Sequence, residues 1–506
     1  MKVCAHDSSR MACDWHATVH GLWLGTSGLD CTASWQSVPL AGMVSLTWLA
    51  DMYTRFCSSV LFPIHERIKG HRSVALRREL EQTQWWSAER LQSMQLDRLR
   101  SFLQRAERQV PYYRETFERI GFRPDDVRTL QDFQAIPLLD KPTIRANTDR
   151  LRSSCAGKLA RFNTGGSSGE PLVFFLGEER VSHDVAAKWR ATRWWGVDIG
   201  DTEVVLWGSP IELGRQDRVK WARDRMLRSN LLPAFQMSET QMDSYLDTLE
   251  HLRPRMLFGY ASALALLASY AEKGGRTLRR LGIRVVFTTG ETLFPDQRRV
   301  MERVFGAPVA NGYGSRDAGF IAHQCPSGSL HVSSEHIIVE LVDGAGRPAA
   351  AGATGEIVTT HLATGDFPFV RYRTGDMGSW STEPCPCGRG LPALKEVAGR
   401  ATDFVRTPSG NTMHALALIY EVRDKPGVSA FKFIQAPDLS VELLVVAGSE
   451  FTVEVASCVR DGVLARMGAG GKFAIRRVSD IPPEPSGKYR YVVSHAGPCA
   501  AGQQVG

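Results

Sequence analysis

Between Ser87 and Val110 apolar residues recur at helical spacing. Leu96, Leu99, Leu103, Ala106 and Val110 share one face, so the stripe reads as core rather than function. Pro111 is expected to end this helix, because proline brings no N–H and its ring crowds the preceding turn. A proline-punctuated segment, Phe133 to Pro142, follows. A second helix is predicted between Ser182 and Trp195, and then a β run from Glu203 to Trp207. From there strand signals at Met256–Phe258 and Val285–Thr289 alternate with helical ones at Ala261–Lys273 and Pro295–Phe305, a rhythm that predicts an α/β core. Past Phe404 the β runs Val441–Val446 and Phe473–Val478 bracket a helical stretch, Val453–Met467, which suits a small α+β unit of ~90 residues.

At 506 residues the chain is long enough for roughly three domains of ~150 residues. Its beginning stands apart. Cys4, Cys13 and Cys31 alternate with His6, His16 and His20 at spacings that fit no familiar zinc pattern, without helical or strand period. Residues 1–42 are therefore read as a poorly ordered or non-native extension with Met43 as an alternative first residue, 43–403 as a large domain, and 404–506 as a small domain with a short tail. No apolar run reaches the ~20 residues of a transmembrane helix. The best stretch, Met43–Phe62, contains Asp51 and Arg55 and reads as an amphipathic helix, and no apolar signal core is evident near the start.

Charge and cysteine usage narrow the partners. The net charge of +7, from 61 basic and 54 acidic residues without a long block of one sign, argues against nucleic acid and suits an anionic small molecule. Ten scattered cysteines favour a reducing cytoplasm. The Arg-rich segment Gly214–Asn230 reads first as a solvated helix face, and second as a contact for an acidic ligand or for peripheral association with a membrane. No feature points to an oligomeric state.

The candidate chemistry starts at Phe162–Phe175, FNTGGSSGEPLVFF, where a glycine- and hydroxyl-rich loop interrupts a β run. Gly165, Gly166 and Gly169 let backbone N–H groups approach an anion, and Thr164, Ser167 and Ser168 add hydroxyl donors. Glu170 and Pro171 stand where a Walker A loop needs Lys and Ser or Thr, so this is another kind of phosphate loop or a hairpin turn. A second cluster comprises TTGET (Thr288–Thr292) and NGYGSRDAG (Asn311–Gly319). Gly290, Gly312 and Gly314 permit close backbone approach there, Tyr313 offers a ring for stacking, and Asp317 supplies a carboxylate suited to Mg²⁺. RYRTGD (Arg371–Asp376), Gly399, Arg400, Asp403 and PSGK (Pro485–Lys488) complete the series.

Together and in this order the motifs TGGSSGEP, TTGET, GYGSRDAG, YRTGD, GRATDF and PSGK resemble the adenylate-forming enzyme superfamily. Within it the chain is similar to the phenylacetate-CoA ligase-like branch, which includes capsular polysaccharide biosynthesis proteins of the CapK type. The resemblance covers about residues 60 to 495. It implies a large, multi-subdomain adenylation domain with a small C-terminal lid, and ATP, Mg²⁺ and coenzyme A as cofactors. By position, Thr164 to Gly169 wrap the β- and γ-phosphates, Gly290 and Glu291 lie at the adenine, and Tyr313 stacks on it. Asp317 replaces the Glu that usually supports Mg²⁺. Asp376 accepts from the ribose hydroxyls with Arg400 close by. Asp403 marks the hinge, where Thr402 departs from a common acidic residue. Lys488 touches both carboxylate and α-phosphate, and Trp207–Pro210, Tyr260 and Ala261 line the pocket for a carboxylic acid.

A second constellation is separable. Cys325 and His331 in CPSGSLH and Cys385 and Cys387 in CPCGRG offer four soft ligands around glycine-relaxed turns, a set suited to a tetrahedral structural Zn²⁺, with His323 as the alternative fourth ligand. The expected function is ATP-dependent activation of a carboxylic acid and transfer to coenzyme A, in surface-polysaccharide assembly if the CapK likeness extends to role. An amine or sugar acceptor, or a silent nucleotide-binding scaffold, are the alternatives.

Overall fold

A computed structural model describes residues 40–163, 172–207, 223–234, 237–400, 404–409, 412–414, 416–423, 425–482 and 490–496. The described residues open in helices. Leu40–Phe56 passes through a π turn, Cys57–Leu61, into Phe62–Ile68, and Ser73–Thr83 follows. Ser87 caps the helix Ala88–Gln109, its hydroxyl accepting from the Arg90 N–H. On that helix and at its end, Leu99, Leu103, Ala106 and Val110 are buried, as the stripe predicts. Pro111 ends it and also starts the next helix, Pro111–Ile120, where its missing N–H leaves nothing unpaired.

Strands β1 (Ala160–Asn163) and β2 (Val173–Leu176) pair antiparallel and flank the glycine-rich loop, whose residues 164–171 lie outside the described set. The expected second helix spans Glu178–Arg193, starting one turn earlier than its apolar pattern because Gly177 and the acidic pair Glu178 and Glu179 form its first turn. Strands β3 (Glu203–Leu206), β4 (Ser229–Leu232), β5 (Met256–Gly259), β6 (Val285–Thr289) and β7 (Val309–Ser315) then pair in parallel, in the order β4-β3-β5-β6-β7. The helices Ala261–Lys273 and Pro295–Phe305 make the crossovers from β5 to β6 and from β6 to β7.

Beyond β7 the same sheet turns antiparallel. Strands β8 (Gly319–Gln324), β9 (Leu330–Val332), β10 (Ile337–Val342), β11 (Gly355–His361), β12 (Tyr372–Trp380) and β13 (Ala393–Arg400) extend it in the order β8-β9-β13-β12-β11-β10, which makes eleven strands in all. Thus β7 is the seam where parallel pairing on one side meets antiparallel pairing on the other.

A separate unit begins with the hairpin β14 (Phe404–Arg406) and β15 (Thr412–His414). Strands β16 (Val428–Gln435), β17 (Val441–Ala447), β18 (Phe473–Arg477) and β19 (Val492–Ser494) form a mixed sheet in the order β18-β17-β16-β19. The helices Leu416–Val422 and Val453–Met467 pack with it around Phe433, Leu443, Val445, Val459 and Val463. Phe294, from the large unit, is part of this same core.

Candidate active site

The parallel strands deliver their C-terminal ends to one edge of the sheet, the usual place for a ligand in such folds. After β6 the chain turns at Gly290, whose φ of +80° suits glycine. A Cβ there would lie 3.3 Å from the Tyr260 ring. Tyr260, which follows β5, stacks on Trp207, which follows β3, with centroids 4.1 Å apart and planes at 19°. Three strand ends therefore build an aromatic wall under a glycine turn. Trp207 and Tyr260 were expected at the acid pocket; residues 208–210, expected beside them, lie outside the described residues.

Across the seam Tyr313, on β7, donates its hydroxyl to Asp376 Oδ2 on β12 at 3.0 Å. Thr374 holds the same corner, bonding the Ile357 carbonyl at 2.7 Å and accepting from the Asp376 N–H at 3.1 Å. Burial, with the Asp376 charge next, pushes the Tyr313 phenol well above its ordinary range, so it stays protonated and donating. Arg400 is the direct cross-strand partner of Asp376 in the β12–β13 register. The ribose pair expected from the motifs is thus brought together by backbone pairing.

Asp317 sits in the β7–β8 turn, buried, with Oδ2 accepting from the Tyr372 hydroxyl at 2.5 Å. Burial raises its pKa, but hydrogen bonds from Ser315 and Tyr372 and the charge of Lys141 outweigh that and hold the carboxyl below its usual value. Arg180, itself buried, donates to the carbonyls of Arg316 and Asp317 and fixes the turn. Gly314 is needed by the hairpin itself, since a Cβ would lie 2.2 Å from the Gly319 carbonyl oxygen. The motif arginines serve the sheet: Arg371 pairs with Glu340 at 2.9 Å and Arg373 with Glu356 at 2.5 Å.

Glu291 shows a contact that its motif does not announce. Its Oε2 accepts from the Ser262 N–H at 2.9 Å, in the first turn of the helix Ala261–Lys273, where a carboxylate is favoured. A little further along, Phe294 meets Tyr491 of the small unit edge-on, and Asp296 pairs with Arg423 at 2.8 Å. The small unit therefore rests on the chain just past the Gly290 turn. Thr164 to Gly169, Thr402, Asp403 and Lys488 lie outside the described residues.

The second constellation assembles. One donor atom from each of Cys325, His331, Cys385 and Cys387 lies within 4.8 Å of every other. Cys325 Sγ is 3.6 Å from Cys385 Sγ, and His331 Nε2 is 3.2 Å from Cys387 Sγ. Tetrahedral geometry at a Zn–S distance of ~2.3 Å puts two sulfurs ~3.8 Å apart. His331 Nδ1 donates to the Leu391 carbonyl at 3.0 Å, which leaves the Nε2 lone pair facing the thiols. Gly328 and Gly388, at φ +96° and +78°, form the two turns, each N–H returning to a cysteine carbonyl. His323 is not in this cluster. It is buried between Phe287 and Phe320, where burial first and Arg190 second push its pKa down to about 3.

Sequence reasoning missed Thr374, Tyr372 and Arg180. The first two lie inside the YRTGD stretch and were within reach. Arg180 lies on a helix without a motif, and no signal singled it out.

The fold is a large sheet domain with a small α+β domain resting beside the C-terminal ends of its parallel strands, the arrangement seen in solved CoA ligases. Residues 405–495 match the CapK C-terminal domain. Protein CapK of Staphylococcus aureus is 23% identical over 406 residues, 79% of this chain and 89% of the relative. Phenylacetate-coenzyme A ligase of Aromatoleum evansii is 24% identical over 65% of this chain and 74% of its own. Among solved structures, 2-hydroxyisobutyryl-CoA ligase in the postadenylation state, in complex with R3-HIB-AMP, superposes with a TM-score of 0.66 at 20% identity, covering 82% of this chain and 91% of that one. The same ligase in the thioesterification state gives 0.54 at 21% identity, covering 81% and 91%. These likenesses bear out the resemblance drawn from the motifs and the two-domain fold.

Proposed function

We propose that the chain is an ATP-dependent, AMP-forming carboxylate ligase that makes an acyl adenylate and passes the acyl group to coenzyme A. The observation that carries this reading is the Tyr313–Asp376 hydrogen bond, opposite Arg400, at the ligand edge of the sheet. It supplies a ring beside a carboxylate, the pair that a nucleoside needs for stacking and for its ribose hydroxyls. The Trp207–Tyr260 wall, one glycine turn away, suits the apolar body of an organic acid.

The chemical problem is repulsion: a carboxylate must reach the α-phosphorus while pyrophosphate leaves in line. In this reading Thr164 to Gly169 hold the outgoing phosphates by N–H and hydroxyl donors, and Lys488 bridges the acid and the α-phosphate. Mg²⁺, when bound, offsets phosphate charge, and the ionised Asp317 would hold it. Lys488 precedes Tyr491 by three residues, a tether of at most ~11 Å. The Tyr491–Phe294 contact supports this lysine acting at the Gly290 turn.

Transfer to an amine or sugar hydroxyl is the second reading. It is supported by the match of residues 405–495 to the CapK C-terminal domain, because in this reading the small domain is the part that would close over the acceptor. ATP–pyrophosphate exchange across a panel of carboxylic acids tests adenylation. Exchange with coenzyme A consumption supports the first acceptor, and exchange without it the second.

The four-residue Cys and His cluster supports a structural zinc ion. All four donors would be protein atoms with no open position, so the metal would clamp the CPCGRG loop to the β8–β9 hairpin.

A further inference from the structure

The run from Trp48 to Ile68 exposes large apolar residues at every fourth position: Trp48, Met52, Phe56, Val60, Ile64 and Ile68, the last 81% exposed. In a regular α-helix a four-residue step overshoots one turn, so such a row winds around the axis. Here the π turn Cys57–Leu61 intervenes, and its i→i+5 bonding holds more residues per turn. The step through it falls short and takes back part of the drift. The result is one outward stripe ~30 Å long.

The opposite face is firmly seated. Tyr53 donates to the Met226 carbonyl at 2.6 Å, Thr54 to Asp201 at 3.0 Å, and Phe62 packs edge-on against Trp189 at 5.1 Å. Cys57 lies so close to Gly200 that a Cβ there would come within 2.5 Å of it. Exposure of the stripe is therefore a property of a docked helix.

Charge identifies the occupant. Arg55, Arg67 and Arg72 are exposed along this run and Lys69 is half-buried. The carboxylates between residues 48 and 72 are Asp51, paired with Arg255 at 2.9 Å, and Glu66, which is buried. In a second copy the exposed arginines would face one another with Asp51, already paired with Arg255, as the one exposed carboxylate between residues 48 and 72 to offset them. An anionic lipid surface meets both the apolar row and the cations, and Trp48 and Phe56 suit the headgroup boundary. Among the described residues no helix is long and apolar enough to cross a membrane. The helix touches Asp201 and Arg255, which precede β3 and β5, so it lies at the strand edge opposite the ligand site.

We propose that the face from Trp48 to Ile68 is a lipid-docking surface that lays the large domain on an anionic membrane with the ligand edge turned to water. The test is co-sedimentation of the full chain with vesicles of phosphatidylcholine alone and of phosphatidylcholine containing one-quarter phosphatidylglycerol. Binding to the anionic vesicles is expected, weakened by added salt and reduced at least ~10-fold by Met52→Glu/Phe56→Glu or, independently, by Val60→Glu/Ile64→Glu. Unchanged circular dichroism would show that the variants are folded. Absence of wild-type binding, equal binding to both vesicle types, or undiminished binding by both folded variants would overturn the proposal. So would a wild-type dimer that these variants convert to monomer, which would assign the face to a second copy.

Discussion

Tyr491 meets Phe294 edge to face, with ring centroids 5.5 Å apart and planes at 90°, and so couples the small domain to the chain that follows the Gly290 turn. Arg423 reinforces the contact, lying 5.9 Å from the Phe294 ring while pairing with Asp296. Burial first, then the Glu291 and Asp296 carboxylates, push the Tyr491 phenol up to about 12, so the contact keeps its character across the neutral range. Tyr491→Ala is expected to lower ATP–pyrophosphate exchange ~10-fold while the large domain melts as before, because Tyr491 belongs to the small domain, where it also packs on Phe431, and its contact with Phe294 positions that domain. Unchanged exchange would count against the coupling.

Tyr313→Phe removes one donor from the Asp376 carboxylate and leaves the ring. A hydrogen bond to a charged group contributes ~1.5–3 kcal/mol, so kcat/KM for ATP should fall ~10-fold or more. Since burial and Asp376 hold the phenol protonated far above neutrality, the pH–rate profile of the wild type should show no step from Tyr313 between mild acid and mild base. Steady-state kinetics over that range checks both statements.

Metal analysis of the freshly purified, reduced protein should find one zinc ion per chain. Cys385→Ser or Cys387→Ser should lose it and lower the melting temperature, and His323→Ala should retain it. Retention of zinc by both cysteine variants would remove the clamp.

Strong acid should loosen the N-terminal helices of the described residues. Burial raises the pKa of Glu66, but hydrogen bonds from His65, His71 and Ser73 outweigh it and lower the value from 4.5 to about 2. A carboxylate depressed in the fold contributes stability that is present above its unfolded value and is lost as pH falls through the folded one. That contribution, about 3 kcal/mol, should therefore disappear between pH 4.5 and about 2. Melting of wild type and Glu66→Ala across this window checks it: the two curves should converge at the acid end.

The parallel half of the sheet was legible where a short strand is followed by a helix, as β5 and β6 are. Ala261–Lys273, Val285–Thr289 and Pro295–Phe305 lie where the periodicity places them. The antiparallel half was not. Every residue of β11 is buried, so it carries no alternation to detect, and β7, β12 and β13 are built from the glycine- and charge-rich motifs themselves. In the site, residue type announced the Cys and His cluster, but His323 and His331 are direct partners across β8 and β9. What separates them is the Leu391 carbonyl that orients His331, a contact about sixty residues away along the chain. Likewise Glu291 carried a nucleotide motif, while its contact with Ser262 depends on where a neighbouring helix begins.

The most direct measurement is ATP–pyrophosphate exchange by wild type and Lys488→Ala against a broad set of carboxylic acids. The account predicts acid-dependent exchange by the wild type and a drop of ~10²-fold or more in the variant. Exchange with none of the acids, or exchange that survives loss of the lysine undiminished, would contradict it.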